Sequence, residues 1–228
     1  MDLGNPVSNK QIGRNTEIFS FNLDYILAFE EIEYLESTIE NIFEIKNIIE
    51  IGAGFGRTAH LLIERIEKLE NYVIYDLPEM LEVSIAYLQT VLHDSQFKKI
   101  TFTSNIDFVE SGHFDLGIQI DGFQEMQSET INEIYSKFLT NSTYVYLKNP
   151  VGKYLPISAG LEVELLNVPL GVGRSIGVLD IWNLSEVGLQ IMNHLEIYRP
   201  ASHELLHSQP DRLFPHYIHS IYWQDEEV

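Results

Sequence analysis

Glycines alternate along one short stretch of the chain, at Gly52, Gly54 and Gly56, and Glu50 stands two positions before the first of them. Glycine at such positions allows a tight bend and the close approach of a ligand to main-chain N–H groups, because no Cβ stands in the way. The spacing G-x-G-x-G differs from the G-x-G-x-x-G of the dinucleotide fingerprint. A carboxylate at Glu50 repels a pyrophosphate and attracts an ammonium group. The stretch therefore favours a ligand with a positively charged end.

A second acid, Asp76, ends the next short apolar stretch, residues 72–75. A carboxylate in that position can accept hydrogen bonds from two ribose hydroxyls. Glu50 and Asp76 together suit a nucleoside that carries an amino-acid tail. The alternative for Asp76 is a helix-capping role before Leu77 and Pro78, and the two roles are compatible. The alternative for Glu50 is a strand-end carboxylate in water.

Strand and helix patterns alternate around these acids. Short apolar, mostly β-branched or aromatic runs predict strands at 47–51, 72–75, 99–103, 114–120 and 143–147. Apolar residues at spacings of three and four predict helices between them. This alternation predicts an α/β fold, a doubly wound and mostly parallel sheet with helices on both faces. After residue 150 the pattern weakens, and we expect a loop at 171–177, a helix around 184–195 and a closing strand at 217–223.

A long amphipathic helix is predicted over residues 21–43, and the glutamates between its apolar positions are interpreted as a solvated face. The apolar stripe consists of Ile26, Phe29, Ile32, Leu35, Ile39 and Ile42. Two local features are also predicted: an i,i+4 pair of Glu64 with Lys68, and a capping box of Thr130 with Glu133. We expect residues 1–46 to form a helical extension or lid, and residues 47–228 to form the ligand-binding domain.

The composition excludes several classes of function. The chain has 14 Lys and Arg against 34 Asp and Glu, and a net charge of -20 opposes binding to nucleic acids and to anionic membranes. The absence of cysteine excludes disulfides, thiolate metal sites and cysteine nucleophiles. Without a recognisable targeting or membrane-spanning segment, we expect a cytoplasmic protein. The sequence leaves the formation of a homo-oligomer open.

Residues 48–57, IIEIGAGFGR, and residues 75–79, YDLPE, resemble motif I and the acid after the second strand of class I S-adenosylmethionine-dependent methyltransferases. More narrowly, residues 4–6, 121–126 (DGFQEM) and 146–149 (YLKN) are similar to the sugar O-methyltransferase family. Ala53 stands where many members have glycine, and Gly122 replaces a more usual serine. The resemblance runs to about residue 149. It implies S-adenosyl-L-methionine as the cofactor and a sugar or glycosylated small molecule as the substrate.

The resemblance also implies a set of site residues. The expected cofactor-binding residues are Glu50, Gly52, Ala53, Gly54, Asp76, Leu77, Asn105, Ile106 and Asp121. Transfer of a methyl group to a sugar hydroxyl calls for a general base near the ends of the fourth and fifth strands. Glu125 or Asp121 is favoured as this base, with Gln124 and Asn149 orienting the sugar and His203 in reserve. Glu125 has the alternative of opening a helix, and Asp121 that of holding the cofactor.

A competing motif lies near the end of the chain, where residues 203–207 read HELLH and match the H-E-x-x-H pattern of zinc proteases. Pro200 and Pro210 leave little room for the helix that this pattern needs, and no third ligand stands at the expected spacing. We therefore predict no metal, although a divalent cation held by carboxylates such as Asp121 stays open.

Two other functions compete with methyl transfer. A nicotinamide-dependent oxidoreductase is disfavoured by the glycine spacing and by Glu50. A non-catalytic binding module is disfavoured because Glu50, Gly52, Gly54 and Asp76 are all present.

Overall fold

The computed structural model describes residues 7–11, 18–107, 112–154 and 178–224. The predicted loop at 171–177 and the segment 4–6 lie outside these residues. The strands are β1 (Val7–Gln11), β2 (Ile18–Asn22), β3 (Asn47–Ile51), β4 (Asn71–Tyr75), β5 (Ile100–Thr103), β6 (Phe114–Ile120), β7 (Ser142–Pro150), β8 (Lys153–Tyr154), β9 (Val178–Leu179), β10 (Glu204–Pro210) and β11 (Tyr217–Trp223). The α-helices are α1 (Leu23–Thr38), α2 (Arg57–Arg65), α3 (Pro78–Val91), α4 (Asp94–Phe97), α5 (Ser128–Lys137) and α6 (Leu184–Tyr198).

A seven-stranded sheet forms the centre, in the order β10-β11-β7-β6-β3-β4-β5. The five strands from β7 to β5 are parallel, while β11 pairs antiparallel with both β7 and β10. The predicted mostly parallel sheet is therefore confirmed. The chain runs outward from β3 through β4 to β5 and then returns to β6 on the other side of β3. This change of direction places a topological switch point at the carboxyl ends of β3 and β6.

Helices pack on both faces of the sheet because the central strands bury side chains on both faces. On one face, α1, α2 and α3 contribute Ile32, Leu62 and Leu88 to a cluster that includes Ile48 and Ile74 of the strands. On the other face, Ile131 and Ile134 of α5 pack with residues of β3 and β7. The predicted covering of both faces is thus confirmed. Since α1 shares the first cluster with the sheet, the division at residues 46 and 47 stays a prediction.

The interpretation of the acidic residues of α1 as a solvated face is wrong for Glu30 and Glu31, which are buried. Both lie on the side of the helix that faces the sheet, where cationic side chains meet Glu31. Ile26 and Phe29, expected in the buried stripe, are exposed instead. Charge pairing with the sheet and with α2, which the helical period alone does not reveal, sets the rotation of this helix.

Two local pairings also differ from the predictions. Because α2 ends at Arg65, Lys68 lies beyond the helix and pairs with Glu44 rather than with Glu64. Helix α5 begins at Ser128 with Gln127 as its N-cap, so Thr130 lies inside the first turn and does not cap it.

Within the ranges given above, the helices are too short or too polar to cross a membrane.

Candidate functional site

The glycine stretch forms the turn from β3 into α2, at the switch point of the sheet. Gly52, Gly54 and Gly56 have positive φ angles of 72°, 59° and 93°. A Cβ on Gly54 would meet no atom within 4 Å, so the turn presents bare backbone to open space. A Cβ on Gly56 would lie 2.9 Å from Leu88 Cδ1, so glycine is needed there for packing as well as for φ.

Asp76 joins this turn to the end of β4. Its Oδ2 accepts a hydrogen bond from Gly54 N at 3.0 Å, and its Oδ1 accepts one from Leu77 N at 2.8 Å. Partial burial raises the pKa of Asp76, and these two backbone hydrogen bonds oppose the rise. Each carboxylate oxygen retains a lone pair, so the side chain can hold the turn and still accept a hydrogen bond from a ligand.

Glu50 is not the water-exposed strand-end carboxylate of the alternative interpretation. The side chain is buried, and its Oε2 accepts a hydrogen bond from Tyr72 Oη at 2.7 Å. Burial raises the pKa of Glu50 to about 7. A cation that reaches Glu50 would favour its ionised form.

A cavity of about 590 Å³, which we call the glycine cleft, opens between the ends of β3, β4 and β6. Its lining residues are Ile51, Gly52, Gly54, Tyr75, Asp76, Leu77, Pro78, Met80, Ser104, Ile120, Asp121, Gly122, Glu125, Met126, Gln127, Thr130 and Ile134. The structure thus brings together five of the residues expected to bind the cofactor: Gly52, Gly54, Asp76, Leu77 and Asp121. Glu125 lines the same cleft and belongs to a turn that precedes α5, so it does not open that helix.

A second space, which we call the aromatic cavity, has a volume of about 450 Å³. Its lining residues are Asp24, Leu27, Arg57, Ile120, Asp121, Lys148, Ile181, Trp182, Phe214, His216 and Tyr217. A smaller junction of about 180 Å³ lies beside the glycine turn and is lined by Glu50, Ala53 and Arg57 among others. All three spaces share Ile120 and Asp121. The glycine cleft and the aromatic cavity therefore meet at one carboxylate.

Asp121 directly follows β6 and has a φ of 54°, a left-handed backbone conformation that aspartate tolerates better than most residues. Its Oδ1 accepts a hydrogen bond from Tyr217 Oη at 2.8 Å, which fixes the carboxylate between the two spaces. Desolvation by the surrounding walls raises the pKa of Asp121, and the Tyr217 hydrogen bond opposes the rise. A carboxylate with a raised pKa is a stronger proton acceptor than an ordinary aspartate.

Several predicted site residues lie elsewhere. Ser104 lines the glycine cleft, whereas Asn105 is exposed and uses its Oδ1 to accept a hydrogen bond from Asp107 N. Ile106 packs against the core cluster beside α5, and so neither it nor Asn105 lines a described cavity.

The substrate-orienting prediction for Gln124 and Asn149 also differs from the structure, since neither lines the cleft or the aromatic cavity. Asn149 is 1% exposed, and its side-chain amide lies 2.6 Å from that of Gln119. The Gln119 amide is best oriented with its oxygen toward the backbone N–H groups of Gly122 and Phe123, at 2.6 and 3.1 Å. Asn149 therefore contacts Gln119, which in turn binds the backbone of the turn after β6.

His203 is wrong as the reserve base because it lies at the far end of β7. The ring is buried, and its Nε2 hydrogen-bonds to the carbonyl oxygen of Ser142, the first residue of that strand. The HELLH segment belongs mostly to strand β10, so its two histidines do not share a helix face as the zinc motif requires.

A different group of possible metal ligands, Glu30, Asp211 and His219, is buried behind the aromatic cavity. The ammonium of Lys148 lies 2.6 Å from Asp211 Oδ2 and already supplies a cation there. The pKa of Asp211 lies well below its usual range: burial alone would raise it, but contacts with His219 and Lys148 outweigh burial.

Apart from Asp121, the residues named above in the lining of the aromatic cavity were not among the predicted site residues. Arg57 lies in the segment IIEIGAGFGR and Lys148 in the segment YLKN, and both segments carry the family resemblance. This resemblance was the signal in the sequence that could have identified them. Asp24 and Tyr217 carry no such signal, since only the folded chain brings their elements to the switch point.

No protein-family model and no curated protein matches the sequence. Solved structures do match. The methyltransferase domain of bacterial CtHen1-CN superposes with a TM-score of 0.57 at 17% identity, over 89% of this chain and 100% of that one. Mitomycin 7-O-methyltransferase MmcR gives 0.59 at 13% identity, over 88% of this chain and 54% of that one, so this chain spans about half its length.

Magnesium protoporphyrin IX methyltransferase (ChlM) from Synechocystis PCC 6803, solved with bound SAH, gives a TM-score of 0.56 at 12% identity, over 89% of this chain and 84% of that one. At these identities the likeness establishes the fold. The chain therefore has the Rossmann-like fold of class I methyltransferases.

Proposed function

We propose that this protein is an S-adenosylmethionine-dependent O-methyltransferase that acts on a hydroxyl group of a sugar or a glycosylated small molecule. One observation carries the proposal: the glycine cleft and the aromatic cavity meet at Asp121. A methyl transferase needs two ligand sites whose reacting ends face each other, with a proton acceptor beside them. The matching solved structures support the proposal, since their names are those of methyltransferases.

The glycine cleft suits the cofactor in volume and in chemistry. Its volume of about 590 Å³ is in the range of small-molecule sites, roughly 300–1,000 Å³. The bare turn at Gly52 and Gly54 admits the ligand, and the Asp76 carboxylate can accept hydrogen bonds from ribose hydroxyls. Glu50, in the adjoining junction, suits the ammonium of the amino-acid tail.

The adenine end would lie farther along the cleft. Leu77, Met80 and Ser104 line that part, so Ser104 takes the place first predicted for Asn105 and Ile106. The apolar side chains of Leu77 and Met80 can cover a flat ring, and the hydroxyl of Ser104 can hydrogen-bond to its edge.

The reaction is an in-line displacement. S-adenosylmethionine supplies an electrophilic methyl group on a positively charged sulfur. The protein aligns the acceptor hydroxyl with that methyl group, and alignment alone can lower the barrier by about 7–11 kcal/mol. Asp121 takes the hydroxyl proton, and Tyr217 holds the Asp121 carboxylate in position. Asp121 is favoured over Glu125 because Asp121 lines both spaces, whereas Glu125 lines the glycine cleft and is not among the residues of the aromatic cavity.

The test replaces Asp121 with asparagine, which keeps the side-chain shape and tolerates the positive φ. We expect the Asp121→Asn variant to lose about 10²–10⁴-fold in kcat with glycoside acceptors while it still binds S-adenosylhomocysteine. Glu125→Gln is the matched control and should retain most of the turnover. Undiminished turnover by Asp121→Asn, or no transfer by the wild type to any hydroxyl acceptor in a glycoside panel, would contradict the proposal.

A further inference from the structure

Among the described residues, two cations line the aromatic cavity, and each is paired with carboxylates of the protein. Arg57 Nη1 lies 3.3 Å from Asp24 Oδ1, and Arg57 Nη2 lies 3.0 Å from Glu31 Oε1. Glu31 is fully buried, and its second oxygen accepts a hydrogen bond from Thr58 Oγ1. The guanidinium group of Arg57 is therefore held between two carboxylates.

Lys148 is paired in the same way at the inner end of the cavity. Its Nζ lies 3.0 Å from Glu31 Oε1 and 2.6 Å from Asp211 Oδ2, and its side chain is almost fully buried. Asp121 adds a further carboxylate to the lining. These two cations thus pair with Asp24, Glu31 and Asp211, and Asp121 lies in the same lining, inside a protein whose net charge is -20.

Most of the remaining lining is apolar or aromatic, and burial lowers the pKa of His216, which favours its neutral ring. The indole of Trp182 is 74% exposed, and Phe214 stands in the same lining with Leu27 and Ile181. Such walls suit the apolar face of a ring-shaped ligand, which gains by leaving water. A phosphate or carboxylate would lose its hydration there without gaining an unpaired Lys or Arg from the described lining residues.

We infer that the aromatic cavity takes an uncharged glycoside, free of phosphate and carboxylate groups, whose ring lies against Trp182 and Phe214. The inference deepens the proposed function and rests on it. It excludes sugar phosphates and nucleotide-linked sugars as acceptors. Their anionic groups would need a cation as partner, and both Arg57 and Lys148 are already paired with carboxylates of the protein. Arg57 and Lys148 then hold the shape of the cavity instead of binding the substrate.

Calorimetric titration of the protein saturated with S-adenosylhomocysteine tests the inference directly. The ligands are matched pairs, phenyl glycosides of several hexoses and their 6-phosphates. We expect at least one uncharged member to bind, and to bind at least tenfold more tightly than its phosphate. Tighter or equal binding of the phosphates would overturn the inference, and so would the failure of every uncharged member to bind.

The variant Asp24→Asn tests the local cause of this preference. Asp24 is partly exposed at the start of α1, and its replacement leaves Arg57 with a single carboxylate partner. The ratio of the affinity for the uncharged glycoside to the affinity for its 6-phosphate should fall by about fivefold in this variant. Glu36→Gln is the matched control, since it removes the same charge from the same helix at an ion pair with Arg65 and away from the cavity.

An unchanged affinity ratio in Asp24→Asn, or an equal change of that ratio in the Glu36→Gln control, would show that the pairing of Asp24 with Arg57 does not cause the preference. Failure of the proposed function looks different. If S-adenosylhomocysteine itself does not bind, the proposed function fails, whereas a preference for phosphates in the protein saturated with S-adenosylhomocysteine overturns only the inference about the acceptor.

Discussion

Burial raises the pKa of the Glu50 carboxyl to about 7, close to neutral pH. The sequence shows an acid before a glycine turn, and it suggests an attraction to a cation. The structure adds that the carboxyl group is buried beside the junction and accepts a hydrogen bond from the Tyr72 hydroxyl. Only the fold reveals this environment, because Tyr72 and Glu50 belong to neighbouring strands.

The pH dependence of stability follows from this burial. The pKa of Glu50 is about 7 in the folded protein and 4.5 in its ordinary state, so the folded protein binds the Glu50 proton more tightly than the unfolded chain does. The Glu50 contribution therefore lowers the stability of the wild type as the pH rises from 4.5 to 7 and above. In the Glu50→Gln variant this loss disappears.

We expect the free energy of unfolding of Glu50→Gln, relative to that of the wild type, to rise across that pH range by on the order of 3 kcal/mol. Urea unfolding at several pH values measures this difference. A difference that does not change with pH would show that Glu50 does not titrate in this range, and the described environment of its carboxyl would be wrong.

Other residues of the site could be predicted only in part. Gly54 and Asp76 could be predicted because a glycine turn and an acid directly after an apolar stretch are visible in the sequence. Both residues line the cleft. Asn149 could not be assigned correctly, because the sequence places it at a strand end but does not show that its amide is buried against Gln119. Burial of a polar side chain depends on its neighbours across the sheet, which a single sequence does not specify.

At the scale of elements, the stability of the turn from β3 to α2 depends on glycine at position 56. Gly56 precedes α2 as its N-cap with a φ of 93°, and a Cβ there would meet Leu88 of α3 at 2.9 Å. The backbone strain and the contact with a core side chain act together.

Gly56→Ala should therefore lower the free energy of unfolding by about 1–3 kcal/mol. The control is Gly188→Ala in α6, where a Cβ meets no atom within 4 Å and alanine should stabilise the helix by about 0.5–1 kcal/mol. Urea denaturation of the two variants gives the comparison. If Gly56→Ala is as stable as Gly188→Ala, the turn does not require glycine at this position.

The elements differ in how well the sequence predicts them. Strands β3, β4 and β6 are strongly apolar and buried, so their positions were predicted closely. Strand β10 was missed, because its residues are mostly exposed and it is held by pairing with β11. Its HELLH segment has no periodicity that distinguishes strand from helix.

At the scale of the whole molecule, the candidate site depends on the topology of the sheet. The reversal of strand order between β3 and β6 brings Gly52, Asp76 and Asp121 from three separate segments to one edge. Alternating strands and helices predict such a switch point, and the matching solved structures have the same fold. Apart from Asp121, the aromatic cavity was not predictable, because α1, β11 and the segment around Trp182 reach it only through long-range packing.

Calorimetric titration with S-adenosylhomocysteine tests our proposal that the glycine cleft binds S-adenosylmethionine through Asp76. We expect the wild type to bind S-adenosylhomocysteine and not NAD, and we expect Asp76→Ala to lose this binding while its circular dichroism spectrum stays that of the wild type. Binding of NAD alone, or undiminished affinity of Asp76→Ala for S-adenosylhomocysteine, would contradict the account.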